Sequence, residues 1–107
     1  MDNEVIIKIG DVEYHFKLKS QKIVELEKAY GKNIFELVRD LSFASITDFI
    51  GASLISPVMS KYDLMDNLLT QYSLEEISND VMYQIAVKSG LIKEQDLTAM
   101  DAEEIKN

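Results

Sequence analysis

Apolar and polar residues alternate on both sides of a Gly10-Asp11 pair near the start of the chain. Val5, Ile7 and Ile9 precede the pair, and a second alternating run begins after it at Val12. A period of two places successive side chains on opposite faces of a β-strand, and a two-residue loop containing glycine is typical of a hairpin. The pattern predicts two antiparallel strands. Because an isolated hairpin is marginal in water, its apolar face must pack on helices or on another subunit.

Pairing the two residues next to the turn sets the register of the whole hairpin. Apolar side chains then lie opposite one another on one face. On the other face Lys8 meets Glu13, and Glu4 meets Lys17. Favourable pairs on both faces support this register, since a slip of one residue would mix the two faces.

Helical periodicity and cap signals replace the alternation after residue 19. We expect five helices, at residues 21–30, 34–41, 46–56, 61–72 and 74–89. Ser20, Ser45 and Ser60 are the expected N-caps of the first, third and fourth helices, because a serine hydroxyl can accept a hydrogen bond from a free amide of the first turn.

Two stronger start signals and one stop signal accompany the other helices. Asn33 with Glu36, and Ser73 with Glu76, have the spacing of capping boxes. Gly90 is expected to end the last helix in a Schellman motif, with apolar residues following it. The predicted fold class is α+β, an N-terminal two-stranded antiparallel hairpin followed by a bundle of four to five helices. Residues 1–92 are predicted to form a single domain, and 93–107 an acidic tail that is mobile or weakly helical.

The least polar segment, residues 42–59, is interpreted as a buried helix. It carries Asp48 as its only charge, but it also contains four serines and Pro57. A membrane-spanning helix needs about 20 mostly apolar residues. The N-terminus has no signal-peptide pattern and the chain contains no cysteine, so we expect an unexported protein of a reducing cytoplasm, with no membrane partner.

The formal net charge is −8, and it is unevenly distributed. Residues 1–53 hold 7 basic and 9 acidic side chains, whereas residues 54–107 hold 4 basic and 10 acidic ones. A surface of this sign repels phosphate, so nucleic acid and anionic lipid are poor partners. The acidity either keeps a small protein soluble or steers it toward a basic protein partner.

No catalytic or cofactor-binding constellation is recognisable in the sequence. His15 is the only histidine, and a zinc site usually needs three protein ligands. The acidic pairs at Asp63 and Glu75 lie in the first turns of predicted helices, where carboxylates satisfy free amides. The phosphate-binding glycine loops and hydrolase motifs are absent. We therefore expect a protein that is not an enzyme and has no cofactor and no metal.

The fourth and fifth predicted helices carry more apolar residues than a helix with one buried face needs. Apolar residues of the fourth helix span an arc of about 160°, wider than a stripe of about 100°, and the fifth helix has apolar residues on its polar side. Tyrosine and methionine are favoured at contact surfaces. These residues either contact a partner or another subunit, or pack against the rest of the chain. The candidate partner-binding residues are Tyr62, Met65, Leu69, Tyr83 and Val87.

Residues 23–37, with the pattern Leu-Glu-Lys-x-x-Gly-x-Asn-Ile-Phe inside them, follow a short lysine-rich hairpin. Together with residues 73–77 and 90–92, this order resembles the tail assembly chaperones of long-tailed phages and prophages of Gram-positive bacteria. The resemblance covers residues 4–92. It lies in the order of elements and in one short pattern, without catalytic invariants.

The resemblance implies a non-enzymatic, self-associating factor that coats the tape measure protein, keeps it soluble and hands it to the growing tail tube. In many members of the family a frameshifted longer form recruits the tail tube protein. Two alternatives remain. One is a self-associating phage structural or adaptor protein without chaperone activity. The other is an acidic inhibitor of a host DNA-binding protein, which would need a regular array of carboxylates.

Overall fold

The computed structural model describes residues 3–40 and 42–93. Within these residues the chain has an α+β fold, with a three-stranded antiparallel sheet and five helices. The predicted acidic tail, apart from Lys93, lies outside the described residues.

The N-terminal hairpin has the predicted register. Strand β1 (Val5–Ile9) pairs with β2 (Val12–Phe16), with Ile9 opposite Val12 and Lys8 opposite Glu13. Gly10 adopts a φ of 61° in the turn, a conformation that suits glycine at the first position of a two-residue hairpin loop. The alternation between apolar and polar residues therefore specified both the strands and their pairing.

A third strand replaces the end of the predicted third helix. Residues Leu54–Ser56 form β3, which pairs antiparallel with β2. The two-stranded prediction was wrong here, because periodicity cannot reveal that β2 has a free edge nearby. Pro57 contributes locally, since a residue before proline avoids the helical conformation. The Ser56-Pro57 peptide bond is cis.

The helices begin within three residues of their predicted starts, and all but the first end earlier than predicted, the third and fourth by three and four residues. Helices α1 to α4 span Ser20–Tyr30, Ile34–Arg39, Phe43–Ser53 and Lys61–Leu68. Helix α5 consists of Leu74–Glu76, a π-helical turn at Ile77–Val81, and Met82–Lys88. The fourth helix was predicted to reach residue 72, but residues 69–72 form a turn.

Several predicted caps are confirmed by hydrogen bonds. The Asn33 side chain accepts from the Glu36 amide at 2.9 Å, and the Ser73 hydroxyl accepts from the Glu76 amide at 3.0 Å. Each glutamate side chain accepts in return from the backbone of its cap. Gly90, with a φ of 87°, ends α5 in the predicted Schellman geometry.

Two predicted caps were misplaced, and one was correct. The N-cap of α3 is Ser42, whose hydroxyl accepts from the Ser45 amide at 3.1 Å. The N-cap of α1 is Lys19, which makes no side-chain cap bond, and Ser20 is the first helical residue. Ser60 caps α4 as predicted. Where several serines are close together, local sequence does not determine which one begins the helix.

The core lies between the inner face of the sheet and the helices, with α3 at its centre. Helix α3 contacts α1, α2, α4 and α5. Its Phe49 and Ile50 are fully buried, as are Phe16 of the sheet and Leu64 of α4. Helices α3 and α4 cross at close range at Gly51, where an added Cβ would lie only 2.6 Å from the Cβ of Lys61. This approach brings Asp48 of α3 next to Lys61, the first residue of α4.

Candidate partner-binding surfaces

Asp48 of α3 is held by residues from two other helices. The Lys61 ammonium of α4 donates to Asp48 Oδ1 at 2.5 Å, and the Tyr30 hydroxyl of α1 donates to Asp48 Oδ2. A charge in an otherwise apolar helix needs a partner. Asp48 was visible in the sequence as the only charge of its segment, but its two partners lie 18 and 13 residues away.

The three groups have mutually dependent protonation states. Burial would raise the pKa of Asp48, but hydrogen bonds from Lys61 and Tyr30 outweigh it and hold that pKa below its ordinary value. Burial and the hydrogen bond to Asp48 raise the pKa of Tyr30 to about 12. The hydrogen bond to Asp48 also raises the pKa of Lys61. At neutral pH the cluster is therefore an ionised carboxylate between an ammonium and a neutral phenol.

This ion pair lies in a shallow groove, here called the interhelical groove. One half, of about 310 Å³, lies between α1, α3 and α4, and the other, of about 430 Å³, lies between α3 and α4. Asp48 and Lys61 line both halves. The first half is also lined by Lys22, Glu25, Leu26, Ala29, Tyr30 and Ala52. The second is also lined by Phe43, Ala44, Thr47 and Tyr62.

Two aromatic side chains in the second half of the groove are exposed. Phe43 is 48% exposed and Tyr62 is 64% exposed. The Lys61 ammonium lies 5.4 Å from the centre of the Tyr62 ring, within the range of a cation–π interaction. Of the predicted partner-binding residues, Tyr62 is the one that the structure places in this groove. Phe43 was missed, because the third helix was predicted to begin at residue 46, which left Phe43 outside it, whereas α3 begins at Phe43.

Tyr83 and Val87 lie together in a separate hollow on α5. This hollow has a volume of about 360 Å³, and Asp80, Gln84 and Lys88 also line it. It shares no lining residue with the interhelical groove. Tyr62 on the one hand, and Tyr83 with Val87 on the other, therefore belong to two separate surfaces.

The remaining two candidates differ from each other. Met65 is 1% exposed and packs in the core, so its assignment to the outer surface is corrected. Leu69 is 38% exposed and follows the last residue of α4. Uniform helical geometry could not separate the two, because the turn after Leu68 and the neighbouring helices decide which part of a wide apolar arc is covered.

His15 lies between two carboxylates on the outer face of the sheet. Its Nδ1 is 2.9 Å from Glu4, and its Nε2 is 3.4 Å from Glu13. The hydrogen bond to Glu4 is the main reason that the pKa of His15 is raised. Glu4 was predicted to pair with Lys17, and in the structure its carboxylate is hydrogen-bonded to His15. In residues 3–40 and 42–93, no group of three histidine or acidic side chains is arranged to hold a metal ion.

None of the helices in the described part of the chain is both long and apolar enough to cross a membrane. Comparisons with family models, curated proteins and solved structures find no match for this chain.

Proposed function

We propose that this chain is a non-catalytic tail assembly chaperone that binds the tape measure protein in the bacterial cytoplasm during phage or prophage tail assembly. The resemblance of residues 4–92 suggests the family. The observation that supports binding is the pair of exposed aromatic side chains, Phe43 and Tyr62, in the interhelical groove.

The groove suits an amphipathic helical segment of the partner. Such a segment lays its apolar face into a groove between helices, with anchors at helical spacing. Phe43 and Tyr62 offer apolar area, while Asp48 and Lys61 are already neutralised by each other. A partner could bury this ion pair without leaving one charge unpaired, which would be costly.

A role without catalysis agrees with the chemistry of the polar cluster. Tyr30 is protonated at neutral pH, and Lys61 is charged and paired with Asp48. A deprotonated nucleophile or a base poised near neutrality is what acid–base and covalent catalysis require. We interpret the cluster as a structural link between three helices. A longer form made by frameshifting would supply the contact to the tail tube protein.

Co-expression with a tape measure protein from a Gram-positive phage tests the proposal. We expect the wild-type chain to keep that protein soluble and to be recovered with it. The double variant Phe43→Ser/Tyr62→Ser should bind the tape measure protein at least about tenfold more weakly, because aromatic anchors dominate interface energies. Val58→Ser is the matched control, since Val58 is 96% exposed and lines neither the groove nor the α5 hollow.

The variants also decide which surface is used. If Tyr83→Ser/Val87→Ser abolishes binding while Phe43→Ser/Tyr62→Ser does not, the partner uses the α5 hollow. A folded wild-type chain that leaves the tape measure protein insoluble would contradict the chaperone function.

The second candidate function is a self-associating phage structural or adaptor protein without chaperone activity. The open edge of strand β1 at one side of the sheet favours it. Such a protein would also self-associate but would be retained in finished particles, whereas a chaperone would leave them. Detection of the chain in purified virions therefore separates the two.

A further inference from the structure

Within residues 3–40 and 42–93, strand β1 pairs with β2 alone and so lies at the edge of the sheet. In a hairpin with a two-residue loop, the residues next to the loop form a hydrogen-bonded pair, and the two kinds of pair then alternate along the strands. Ile9 and Val12 are next to the loop. Ile6 and Lys8 consequently direct their backbone N–H and C=O groups away from β2, toward the open edge.

The side chains on the outer face of β1 form a pattern that is complementary to itself. Glu4, Ile6 and Lys8 are successive residues on this face, and the central Ile6 is 53% exposed. If a second copy of β1 runs antiparallel with Ile6 opposite Ile6, each Glu4 faces the other copy's Lys8. The same alignment places Val5 opposite Ile7 on the inner face.

We propose that two copies of this chain associate through antiparallel pairing of their β1 strands, centred on Ile6, to form a six-stranded sheet. At this register the two Ile6 residues would exchange both of their outward backbone hydrogen bonds. This is the arrangement that a two-fold axis through an antiparallel pair allows.

Charge complementarity favours a second copy as the occupant of the edge. Chains with a net charge of −8 repel each other over long distances. The paired edge itself is balanced, because every Glu4 meets a lysine. On the outer face the row across the new junction would read Glu13, Lys8 and then Glu4 of the second copy, so opposite charges alternate, as cross-strand pairs prefer.

One side chain already contacts this edge. The Gln71 amide donates to the Lys8 carbonyl at 3.2 Å. Gln71 is exposed, and a carbonyl oxygen has a second lone pair, so this contact leaves room for an amide of the second copy. A strand edge with free backbone groups and an exposed apolar residue can pair with another chain.

Charge reversal tests the register. Glu4→Lys alone puts two lysines opposite each other at both ends of the pair, and Lys8→Glu alone puts two glutamates there. We expect each single variant to dimerise about tenfold more weakly than the wild type. An equimolar mixture of the two variants should recover the dimer, because every contact between unlike copies is again between opposite charges. Sedimentation velocity measures both effects, and circular dichroism checks that the variants are folded.

The control reverses an ion pair outside the sheet. Lys32→Glu and Asp40→Lys change the net charge by the same amounts at the two ends of α2, and they should leave the dimer unchanged both singly and mixed. Ile6→Lys supplies a second route, since it places two lysines on the two-fold axis at an exposed position and should also prevent association.

The proposal is overturned by any of three results. The wild-type chain could remain monomeric up to about 1 mM, a concentration that would still reveal a weak dimer. It could dimerise equally well with Ile6→Lys or with the single charge reversals, which would locate the interface elsewhere. The mixture could fail to recover association. None of these outcomes bears on binding of the tape measure protein, so the proposed function is tested separately.

Discussion

Tyr62 and Met65 lie one helical turn apart on α4, yet the first is 64% exposed and the second 1%. Both were predicted to contact a partner, because both lie in one wide apolar arc. Met65 belongs to the core cluster, whereas Tyr62 lines the interhelical groove. Neighbouring elements, and not the helix itself, cover one part of the arc and leave the other part open.

We predict that Met65→Ser lowers the free energy of unfolding by about 2–5 kcal/mol, because it leaves a cavity in the core and buries a hydroxyl. Tyr62→Ser should change it by less than about 1 kcal/mol, as is usual for an exposed side chain. Urea unfolding followed by circular dichroism measures both values. Equal destabilisation by the two variants would contradict the assignment of Met65 to the core and Tyr62 to the surface.

At the scale of elements, the Asp48 cluster connects α1, α3 and α4 across long sequence distances. Gly51 permits the close crossing of α3 and α4 that places the ammonium of Lys61 beside Asp48. The cluster is only partly buried, so solvent screens it and its net contribution is modest.

We predict that Asp48→Asn lowers stability by about 1 kcal/mol at pH 7, and that the difference disappears in acid. The folded pKa of Asp48 lies below its ordinary value of 3.8. Its ionised form therefore contributes stability above pH 3.8, and this contribution is lost as the pH falls through the folded pKa. Thermal melting of both proteins between pH 7 and pH 2 measures the difference.

Asp66→Asn is the matched control, because Asp66 is an exposed carboxylate of α4. It should behave like the wild type throughout this range. A gap between wild type and Asp48→Asn that stays constant down to the lowest pH would show that loss of the charge is not the cause of destabilisation.

At the scale of the whole molecule, one core connects the sheet to the last helix. It begins at Val5 in β1 and includes Ile85 in α5, and Leu91 packs against it just after the Schellman turn. The Leu18 amide donates to the Ser89 hydroxyl at 2.8 Å, so a hydrogen bond also links the segment after β2 to the end of α5.

We predict that a chain ending at Lys93 still unfolds in one cooperative transition, with a Tm within about 8 °C of the full chain, which corresponds to about 1 kcal/mol or a little more. The physical reason is that residues from Val5 to Leu91 already form one continuous hydrophobic core. Differential scanning calorimetry of the two chains makes the comparison. Loss of a cooperative transition on truncation would show that residues beyond 93 belong to the domain.

The sequence was sufficient to predict features that depend only on residues close together in the chain, such as the hairpin and two helix starts. The Gly10-Asp11 turn and the alternation around it specified the hairpin and its register, because side-chain direction reverses at every residue of a strand. The capping boxes at Asn33 and Ser73 marked two helix starts, since both partners lie within one turn.

Tertiary structure decided what depends on distant neighbours. Residues 54–56 form a strand because they pair with the free edge of β2. The periodicity of the sequence therefore could not predict where α3 ends. Asp48 was recognisable in the sequence as the only charge of its segment. Its partners, Lys61 and Tyr30, are determined by the crossing of α3 with α4 and by the position of α1. Exposure of an apolar residue is likewise set by what packs over it, a property of the assembled chain that spacing along one helix does not contain.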